Sequence, residues 1–310
     1  MIPDSVDCRL CGSAKTDNLG KIPDCGEFAG QSVMPSIKGG CLMECLACDS
    51  LFRSPLLSPV EYFKLYKRAS DDLWEHYHEI RNDFKIIRDL LSDTMGGEIL
   101  DVGCYSGVFL RDLPTKFEKF GIEPSEAASS VAHAHGITIL GQTLAQIDPH
   151  RQFDIIMAID VVEHVTDVSE FMGQVLQHVK ENGLFIISTG NPDCLFWKKI
   201  FKSRFWYTSF SEHLTFPSRK YFDDYCKRAG LAEPLQIPFP YVKLSPVLRF
   251  VLFISQVMFF ISPAIFRFSE RVLRKMIGMA DRLHHEFGLV AGGLFTDHQL
   301  IVIKKIGCER

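Results

Sequence analysis

Four cysteines near the N-terminus have the spacing of a metal site. Cys8 and Cys11 form one Cys-x-x-Cys pair, and Cys45 and Cys48 form a second. Four thiolates close a tetrahedral structural zinc site, which supplies folding energy to a module too small to build its own core. A redox pair, which usually begins a thioredoxin-type helix, and unpaired thiols are the alternatives. The paired spacing favours the two knuckles of a zinc ribbon.

A glycine-containing loop follows a short apolar run that ends at Asp101. Gly103 and Gly107 permit a tight turn and a close approach of a cofactor to the backbone, which other residues resist. Cys104 is expected to pack in the protein or to lie close to the cofactor rather than to act as a nucleophile. The dinucleotide fingerprint Gly-x-Gly-x-x-Gly needs glycine where Tyr105 stands, so the loop disfavours a nicotinamide cofactor.

Glu123 ends the next predicted strand, twenty positions after Gly103. A carboxylate at this place can accept hydrogen bonds from both hydroxyls of a ribose. The alternative is a surface glutamate in the turn before Pro124. Together with the glycine loop, the spacing favours the ribose role.

A third apolar run leads into Asp160, Glu163 and His164. We expect His164 to be a general base because neutral imidazole titrates near working pH, and His213 and Glu163 are the other candidate catalytic residues. The alternative is that His164 only bonds to a loop and caps a helix. Carboxylates with imidazole also suit Mg²⁺ or Mn²⁺, so Asp160, Glu163 and His164 could form a divalent-ion site.

Alternating strands and helices are predicted to position these residues. Short apolar runs separated by helical patterns predict a doubly wound, mostly parallel sheet, which binds ligands at the carboxyl ends of its strands. The predicted strands cover residues 98–102, 120–122, 137–140, 153–159, 183–188 and 298–305. The predicted helices of this part cover residues 108–113, 126–135 and 168–179.

The flanking segments have different patterns. Residues 1–55 are rich in Cys, Gly, Ser and Pro and predict a small, loop-built module, whereas residues 56–95 show apolar side chains at helical spacing. Residues 236–295 form an apolar helical insert before the last strand.

The insert contains seventeen uncharged residues, 250–266, which is the lower limit for crossing a bilayer. A single crossing would leave the strand at 298–305 on the wrong side of the membrane from its sheet. We therefore expect an interfacial or buried helix, with membrane-surface contact through residues 244–268 or a lipophilic substrate as one hypothesis. An apolar cap or a dimer interface is the other.

The composition excludes several classes of protein. The chain has 310 residues, of which 46% are hydrophobic and 23% charged, as in ordinary globular proteins rather than disordered or fibrous ones. A formal net charge of −4 weighs against wholesale nucleic-acid binding. Ten cysteines without an apolar stretch in residues 1–30 predict a reducing compartment. We expect a cytoplasmic location, with peripheral membrane contact as a further option.

These segments, taken together, resemble a class I S-adenosylmethionine-dependent methyltransferase. The branch that they resemble carries an N-terminal zinc ribbon and includes small-molecule and sugar-modifying enzymes. The motifs that carry the resemblance are Ile99-Leu-Asp-Val-Gly-Cys-Tyr-Ser-Gly107, Gly121-Ile-Glu-Pro124, Asp160-Val-Val-Glu-His-Val165 and Gly183-Leu-Phe-Ile-Ile-Ser-Thr-Gly-Asn191.

The resemblance implies a role for each residue of the predicted cofactor site. The glycine loop would cradle the methionine part, Glu123 would hold the ribose, and Asp160 would lie beside the sulfonium or the substrate. Gln142 is a candidate for the adenine contact, because this chain lacks the aspartate that many relatives have there. The spacing of Asp160, Glu163 and His164 also resembles that in ubiquinone-biosynthesis O-methyltransferases, which would favour Mg²⁺. The predicted cofactor-binding residues are Asp101, Gly103, Cys104, Tyr105, Gly107, Glu123, Gln142 and Asp160.

The predicted architecture is therefore a zinc ribbon at 1–55, a helical linker or lid at 56–95 and a methyltransferase domain at 96–310. The predicted activity is transfer of a methyl group to an O, N or C nucleophile of a small molecule, sugar or lipid-linked intermediate. A NAD-dependent or nucleotide-sugar oxidoreductase and a non-catalytic zinc-ribbon binding protein with a degenerate pocket are the alternatives.

Overall fold

The described residues form three sheets, of seven, four and two strands, and the two smaller ones are built mainly from residues near the N-terminus. The computed structural model describes residues 6–29, 31–66, 81–241, 246–262 and 295–306. Residues 6–29 and 31–66, here called the N-terminal module, contain five strands and one helix, so the prediction of a module built from loops was wrong. The strands are β1 (Thr16–Lys21), β2 (Cys25–Phe28), β3 (Gln31–Ile37), β4 (Cys41–Cys45) and β5 (Leu51–Ser54).

The helical pattern predicted for residues 56–95 contains helices α1 (Pro59–Tyr66) and α2 (Asn82–Ser92). The part of that prediction at residues 67–80 lies outside the described residues. Helix α2 buries Phe84, Ile87 and Leu91, which recur at intervals of three and four residues along one face. This face packs on the larger sheet.

The larger sheet has seven strands in the order β12-β13-β10-β9-β6-β7-β8. The pairs between β6, β7, β8, β9 and β10 are parallel, whereas β13 is antiparallel to both β10 and β12. This confirms the prediction of a mostly parallel sheet. Its strands are β6 (Gly97–Val102), β7 (Phe117–Ile122), β8 (Thr138–Gly141), β9 (Phe153–Ile159), β10 (Val179–Gly190), β12 (Leu235–Phe239) and β13 (His298–Lys304).

Helices connect these strands on both faces of the sheet. Ser125, Asp167 and Ser218 each accept a hydrogen bond from a backbone N–H of the helix that follows, which satisfies a donor that has no partner within its helix. The helices are α3 (Val108–Arg111), α4 (Glu126–Ala134), α5 (Val168–Gln177), α6 (Arg219–Arg228) and α7 (Pro246–Ile261).

Both faces of the larger sheet are buried, which explains why its strands read as continuous apolar runs. Ile99 of β6 packs with Phe84 of α2, whereas the next residue, Leu100, belongs to the cluster of Phe171 in α5. The Leu100 cluster extends without a break to Cys8 of the N-terminal module. The module and the larger sheet therefore share one hydrophobic core.

The short strand β11 (Thr215–Phe216) joins the two parts of the chain through its backbone. It pairs with β5 and completes a four-stranded sheet in the order β1-β4-β5-β11. The predicted domain boundary at residue 55 therefore does not separate two independent sheets, because one strand of the small sheet comes from residues 215–216.

The segment predicted as an apolar helical insert begins with a strand. Leu235–Phe239 pairs with β13 along its whole length, so the prediction of helix for these residues was wrong. Helix α7 confirms part of the insert, and its remainder at 263–294 lies outside the described residues. Within the described ranges, the helices lack the combination of length and apolarity that a membrane span needs.

Candidate active site

Three acidic residues meet at one edge of the larger sheet. Asp101, Glu123 and Asp160 lie at or just after the carboxyl ends of β6, β7 and β9, and β6 pairs in parallel with the other two strands. The carboxyl ends of adjacent parallel strands lie side by side, so the topology brings these carboxylates to one place.

The loop after β6 depends on its glycines. Gly103 and Gly107 have φ angles of +76° and +70°, a region that other residues adopt at a cost. A Cβ atom on Gly107 would lie 2.0 Å from Cδ1 of Ile137, and one on Gly103 would lie 2.9 Å from Cγ2 of Val161. The predicted tight turn is therefore present, and it presents backbone at the edge where Asp101 ends its strand.

Asp101 is the most unusual carboxylate of the group. Its side chain is buried, and its Oδ1 has no hydrogen-bond partner among the described residues. Burial, and to a smaller extent the charge of Glu123, raises the pKa of Asp101 to about 8. A buried carboxylate without a partner costs free energy unless a cationic group approaches it, so this position suits an ammonium ligand.

Glu123 ties the glycine loop to the start of α4. Its Oε2 accepts a hydrogen bond from the backbone N–H of Tyr105 at 2.8 Å, and its Oε1 accepts one from Ser125 at 2.8 Å. Only 8% of Glu123 is exposed, so the alternative of a surface glutamate in a turn was wrong. Each carboxylate oxygen has a second lone pair that can accept a ligand hydroxyl.

Two other predicted cofactor residues lie in different surroundings. Cys104 is buried, and a Cβ atom on Gly121 would lie 2.5 Å from its Sγ, so the thiol packs against the backbone of β7. Burial raises the pKa of the Cys104 thiol far above its usual range, which argues against a nucleophile. Gln142 is exposed after β8, and its backbone N–H donates to Oε1 of Gln146.

Asp160 is held by residues that the sequence did not indicate. Its Oδ2 lies 2.8 Å from Nη2 of Arg81 and 3.3 Å from the hydroxyl of Tyr241. Arg81 also pairs with the buried Asp83. The second oxygen of Asp160, Oδ1, has no hydrogen-bond partner within the described ranges and remains available to a ligand.

The three predicted catalytic side chains are close together. One carboxylate oxygen of Glu163 and one ring nitrogen each of His164 and His213 all lie within 4.8 Å of one another. Glu163 is fully buried, and its carboxylate accepts hydrogen bonds from the hydroxyls of Tyr207 and Thr189, the latter at 2.9 Å. Residues 50 positions apart in sequence thus form one cluster.

Both histidines of the cluster are held neutral. Burial lowers the pKa of His164 and lowers that of His213 well below its usual range. Nδ1 of His213 lies 2.9 Å from the carbonyl oxygen of Tyr207, so Nδ1 carries the proton and Nε2 is the acceptor. His164 does not cap α5, because Asp167 holds that position, but its Nδ1 lies 3.2 Å from the loop carbonyl oxygen of Glu212, so the loop contact of that alternative is present.

The magnesium hypothesis grouped Asp160 with Glu163 and His164, and the structure places different residues together. The described side chains that could share a cation with Glu163 include His213 and not Asp160, whose carboxylate pairs with Arg81. One carboxylate and two imidazoles suit a borderline transition-metal ion better than Mg²⁺, which prefers oxygen ligands.

The four N-terminal cysteines also come together. The Sγ atoms of Cys8, Cys11, Cys45 and Cys48 lie within 4.8 Å of one another. Each pair sits in the same kind of turn, in which the carbonyl of the first cysteine accepts a hydrogen bond from the residue four positions later. Neither pair begins a helix, which disfavours the redox alternative.

With this geometry in place, comparison with known proteins gives the family. The sequence model of a family described as "Methyltransferase domain" matches residues 74–233, half of the chain. The chain belongs to this methyltransferase domain family. The matched residues include the glycine loop, Glu123, Asp160 and His164, and they exclude the N-terminal module.

Similar curated proteins are ubiquinone biosynthesis O-methyltransferases from bacteria. The chain is 34% identical over 116 residues to that of Rhodopseudomonas palustris strain HaA2, covering 35% of this chain and 44% of the relative. It is 31% identical over 172 residues to that of strain BisB5, covering 47% of this chain and 66% of the relative. The chain thus spans less than two thirds of the length of these relatives.

A solved structure agrees with the fold. The phospholethanolamine N-methyltransferase 2 of Haemonchus contortus, in complex with phosphomonomethylethanolamine and S-adenosylhomocysteine, superposes with a TM-score of 0.52 at 14% identity. The superposition covers 82% of this chain and 62% of that protein. At this identity the likeness concerns the fold alone.

The methyltransferase domain fits the cofactor that the family resemblance implies. S-adenosylmethionine carries an ammonium group and a ribose with two hydroxyls. The unpartnered Oδ1 of Asp101 suits the first and the buried carboxylate of Glu123 suits the second. The absence of a Cβ atom at Gly103 and at Gly107 lets the loop backbone pack closely against Val161 and Ile137 and hold its turn beside Asp101.

We predict that affinity for S-adenosylhomocysteine increases from pH 6 to pH 8. Asp101, with a pKa of about 8, must lose its proton to pair with the ligand's ammonium, so affinity should change by up to about tenfold per pH unit. Isothermal titration at several pH values measures this. Asp101→Asn should show weaker and nearly pH-independent binding, whereas equal pH dependence in both proteins would contradict the assignment.

Proposed function

We propose that the chain transfers the methyl group of S-adenosylmethionine to a nucleophile on a small molecule. The observation that carries this proposal is the buried Oδ1 of Asp101, beside the glycine loop of a methyltransferase domain, which has no hydrogen-bond partner among the described residues. A cationic ligand would remove the cost of burying that carboxylate. The names of the similar curated proteins support an oxygen nucleophile.

Cofactor binding would use the acidic edge of the sheet. Asp101 would accept hydrogen bonds from the ammonium group, and Glu123 would accept them from the ribose hydroxyls while it keeps its bonds to the backbone of Tyr105 and Ser125. The sulfonium of the bound cofactor supplies an electrophilic methyl group. The protein then has to align an acceptor in line with it and exclude water.

His164 would act as the general base. Because burial lowers its pKa, the imidazole is neutral near pH 7 and can take the proton of an acceptor hydroxyl as the bond to carbon forms. Glu163 would stabilise the positive charge that His164 then carries. His213, whose ring nitrogen lies within 4.8 Å of both side chains, would line the part of the site that holds the methyl acceptor. Asp160, held by Arg81, would face the reaction from the cofactor side.

Titration with S-adenosylhomocysteine tests this function, with NAD⁺ as the control ligand. We expect micromolar binding of the first and no binding of the second, because Tyr105 interrupts the dinucleotide fingerprint. Asp101→Asn should weaken binding at pH 8 by at least about tenfold, a typical cost of a lost charged hydrogen bond. The matched control, Asp112→Asn on the partly exposed end of α3, should bind normally.

Two outcomes of this titration favour the alternatives. Binding of NAD⁺ in preference to S-adenosylhomocysteine would identify an oxidoreductase. Binding of neither ligand by protein with a cooperative unfolding transition would favour a non-catalytic role for the fold.

We also propose that Cys8, Cys11, Cys45 and Cys48 hold a structural zinc ion. Sγ of Cys8 lies 3.8 Å from that of Cys48, and Sγ of Cys11 lies 3.5 Å from that of Cys45, which suits four thiolates around one ion. The two cysteine turns lie at the same end of the antiparallel pair of β1 and β4, where Thr16 pairs with Cys45. Zinc would therefore stabilise the small sheet that β11 completes.

Cys45→Ser should lower the zinc content and the soluble yield together, because a site with three thiolates binds zinc more weakly. Cys41→Ser is the matched control, since Cys41 is equally buried at the other end of β4 and lies outside the cluster. Zinc per chain is measured by emission spectrometry. Unchanged zinc content in Cys45→Ser would defeat the proposal.

A membrane surface is the proposed partner of α7. Val247, Phe250, Ile254 and Ile261 are 75%, 66%, 43% and 66% exposed and fall within about 60° of one another around the helix. Exposed apolar stripes of this length are uncommon on monomeric proteins that contact only water. The helix would lie flat on a lipid surface with this stripe toward the acyl chains.

Flotation with vesicles tests this contact. We expect the protein to float with vesicles of phosphatidylcholine, with or without added phosphatidylglycerol. The double variant Phe250→Ser and Ile254→Ser should abolish flotation, whereas Met95→Ser, which changes a side chain that is 98% exposed elsewhere, should not. Wild-type protein that stays in the soluble fraction with both vesicles would overturn the proposal.

A further inference from the structure

The N-terminal module reaches the surroundings of His164 through two side chains. Arg53 comes from β5 and Tyr66 is the last residue of α1. Both lie outside the residues 74–233 that match the methyltransferase domain family. Their contacts therefore show what this chain adds to the acceptor side of the site.

Arg53 holds the loop that follows the fifth parallel strand. Its guanidinium is buried and donates to four backbone carbonyl oxygens, with distances from 2.7 to 3.2 Å. Three of these carbonyls belong to one short segment of the larger domain. The four carbonyls are those of Gly39, Thr208, Phe210 and His213.

The segment that Arg53 holds includes Glu212. The carbonyls of Phe210 and His213, on either side of Glu212, are fixed to a rigid, planar guanidinium. The Glu212 carbonyl oxygen itself lies 3.2 Å from Nδ1 of His164. Arg53 thus determines where one partner of the imidazole lies.

Tyr66 supplies the other partner. Its hydroxyl lies 3.0 Å from the same Nδ1 atom of His164. The edge of the Phe28 ring packs against the Tyr66 ring at a centroid distance of 4.8 Å, so a second residue of the N-terminal module orients the tyrosine.

The Glu212 carbonyl selects one tautomer of the imidazole, and the Tyr66 hydroxyl is compatible with it. A carbonyl oxygen can only accept, so the Glu212 contact requires a proton on Nδ1 of His164. The hydroxyl oxygen of Tyr66 can share that proton as a second acceptor. With the proton on Nδ1, the lone pair of the neutral ring is on Nε2.

We propose that Arg53 and Tyr66 are positioning residues that fix His164 as the tautomer with a free Nε2 lone pair. The inference rests on the proposed function, in which Nε2 accepts the proton of the methyl acceptor. The N-terminal module is then part of the active site. Removing the Tyr66 hydroxyl changes the hydrogen bonding of Nδ1 of His164 and leaves the residues of the cofactor site in place.

Nuclear magnetic resonance of protein labelled with ¹⁵N-histidine tests this proposal directly. Two-bond proton–nitrogen correlations distinguish a protonated from an unprotonated ring nitrogen, and the His164→Gln spectrum assigns the signals. We expect protonated Nδ1 in the wild type. In Tyr66→Phe, Nδ1 should remain protonated because the Glu212 carbonyl still accepts its proton, but the Nδ1 signals should shift because the second acceptor is lost.

Tyr62→Phe is the matched control, because it removes a hydroxyl one turn earlier on the same helix and leaves the His164 contact intact. Its spectrum should equal that of the wild type. A wild-type His164 with the proton on Nε2 would overturn the proposal. Identical His164 signals in Tyr66→Phe, Tyr62→Phe and the wild type would overturn the role of Tyr66.

Arg53→Lys tests the other half of the proposal. Lysine keeps the charge but cannot present the planar fork to four carbonyls, so the Glu212 carbonyl is no longer held. Because the Tyr66 hydroxyl can then donate to Nδ1, we expect a shift toward a mixture of the two tautomers. Titration with S-adenosylhomocysteine shows whether the variant is folded, and binding should equal that of the wild type. Because the tautomer is read without cofactor or acceptor, absence of methyl transfer would leave this result intact and would count against the proposed function alone.

Discussion

The buried guanidinium of Arg53 is the constraint on which the arrangement of the chain depends. A charge in the interior is tolerated only when its hydrogen-bonding capacity is met, and here backbone carbonyls from both parts of the chain meet it. Strand β11 pairs with β5 beside it, and the hydrophobic core continues from Cys8 to Leu100. The N-terminal module and the larger sheet therefore fold as one structure.

This arrangement divides the site between two sources. The parallel sheet would supply the proposed cofactor side, because the carboxyl ends of adjacent strands bring Asp101, Glu123 and Asp160 together. The proposed acceptor side would combine Glu163 and His164, which follow β9, with a loop that the N-terminal module holds in place. A domain shared by many methyltransferases would thus gain its particular acceptor site from a segment outside the shared part.

Features that depend on residues close together in the sequence could be predicted from it. The parallel strands, the glycine loop and the two cysteine pairs are local patterns, and the structure contains each of them. Arg81 and Arg53 were missed because no motif marks them. The contact of Arg81 with Asp160 spans 79 positions, and the contacts of Arg53 with Thr208 and Phe210 span about 155. Leu235–Phe239 was expected to be helical because its apolar residues adjoin α7, and pairing with β13 decides otherwise.

Scanning calorimetry of the whole chain, with and without S-adenosylhomocysteine, tests whether the N-terminal module and the larger sheet unfold together as one structure. If one structure carries one site, unfolding gives a single transition whose calorimetric and van't Hoff enthalpies agree, and the ligand moves that transition as a whole to higher temperature. Two transitions, of which the ligand shifts only one, would show that the N-terminal module folds separately and would contradict the account. A single transition that the ligand leaves unmoved would contradict the cofactor site.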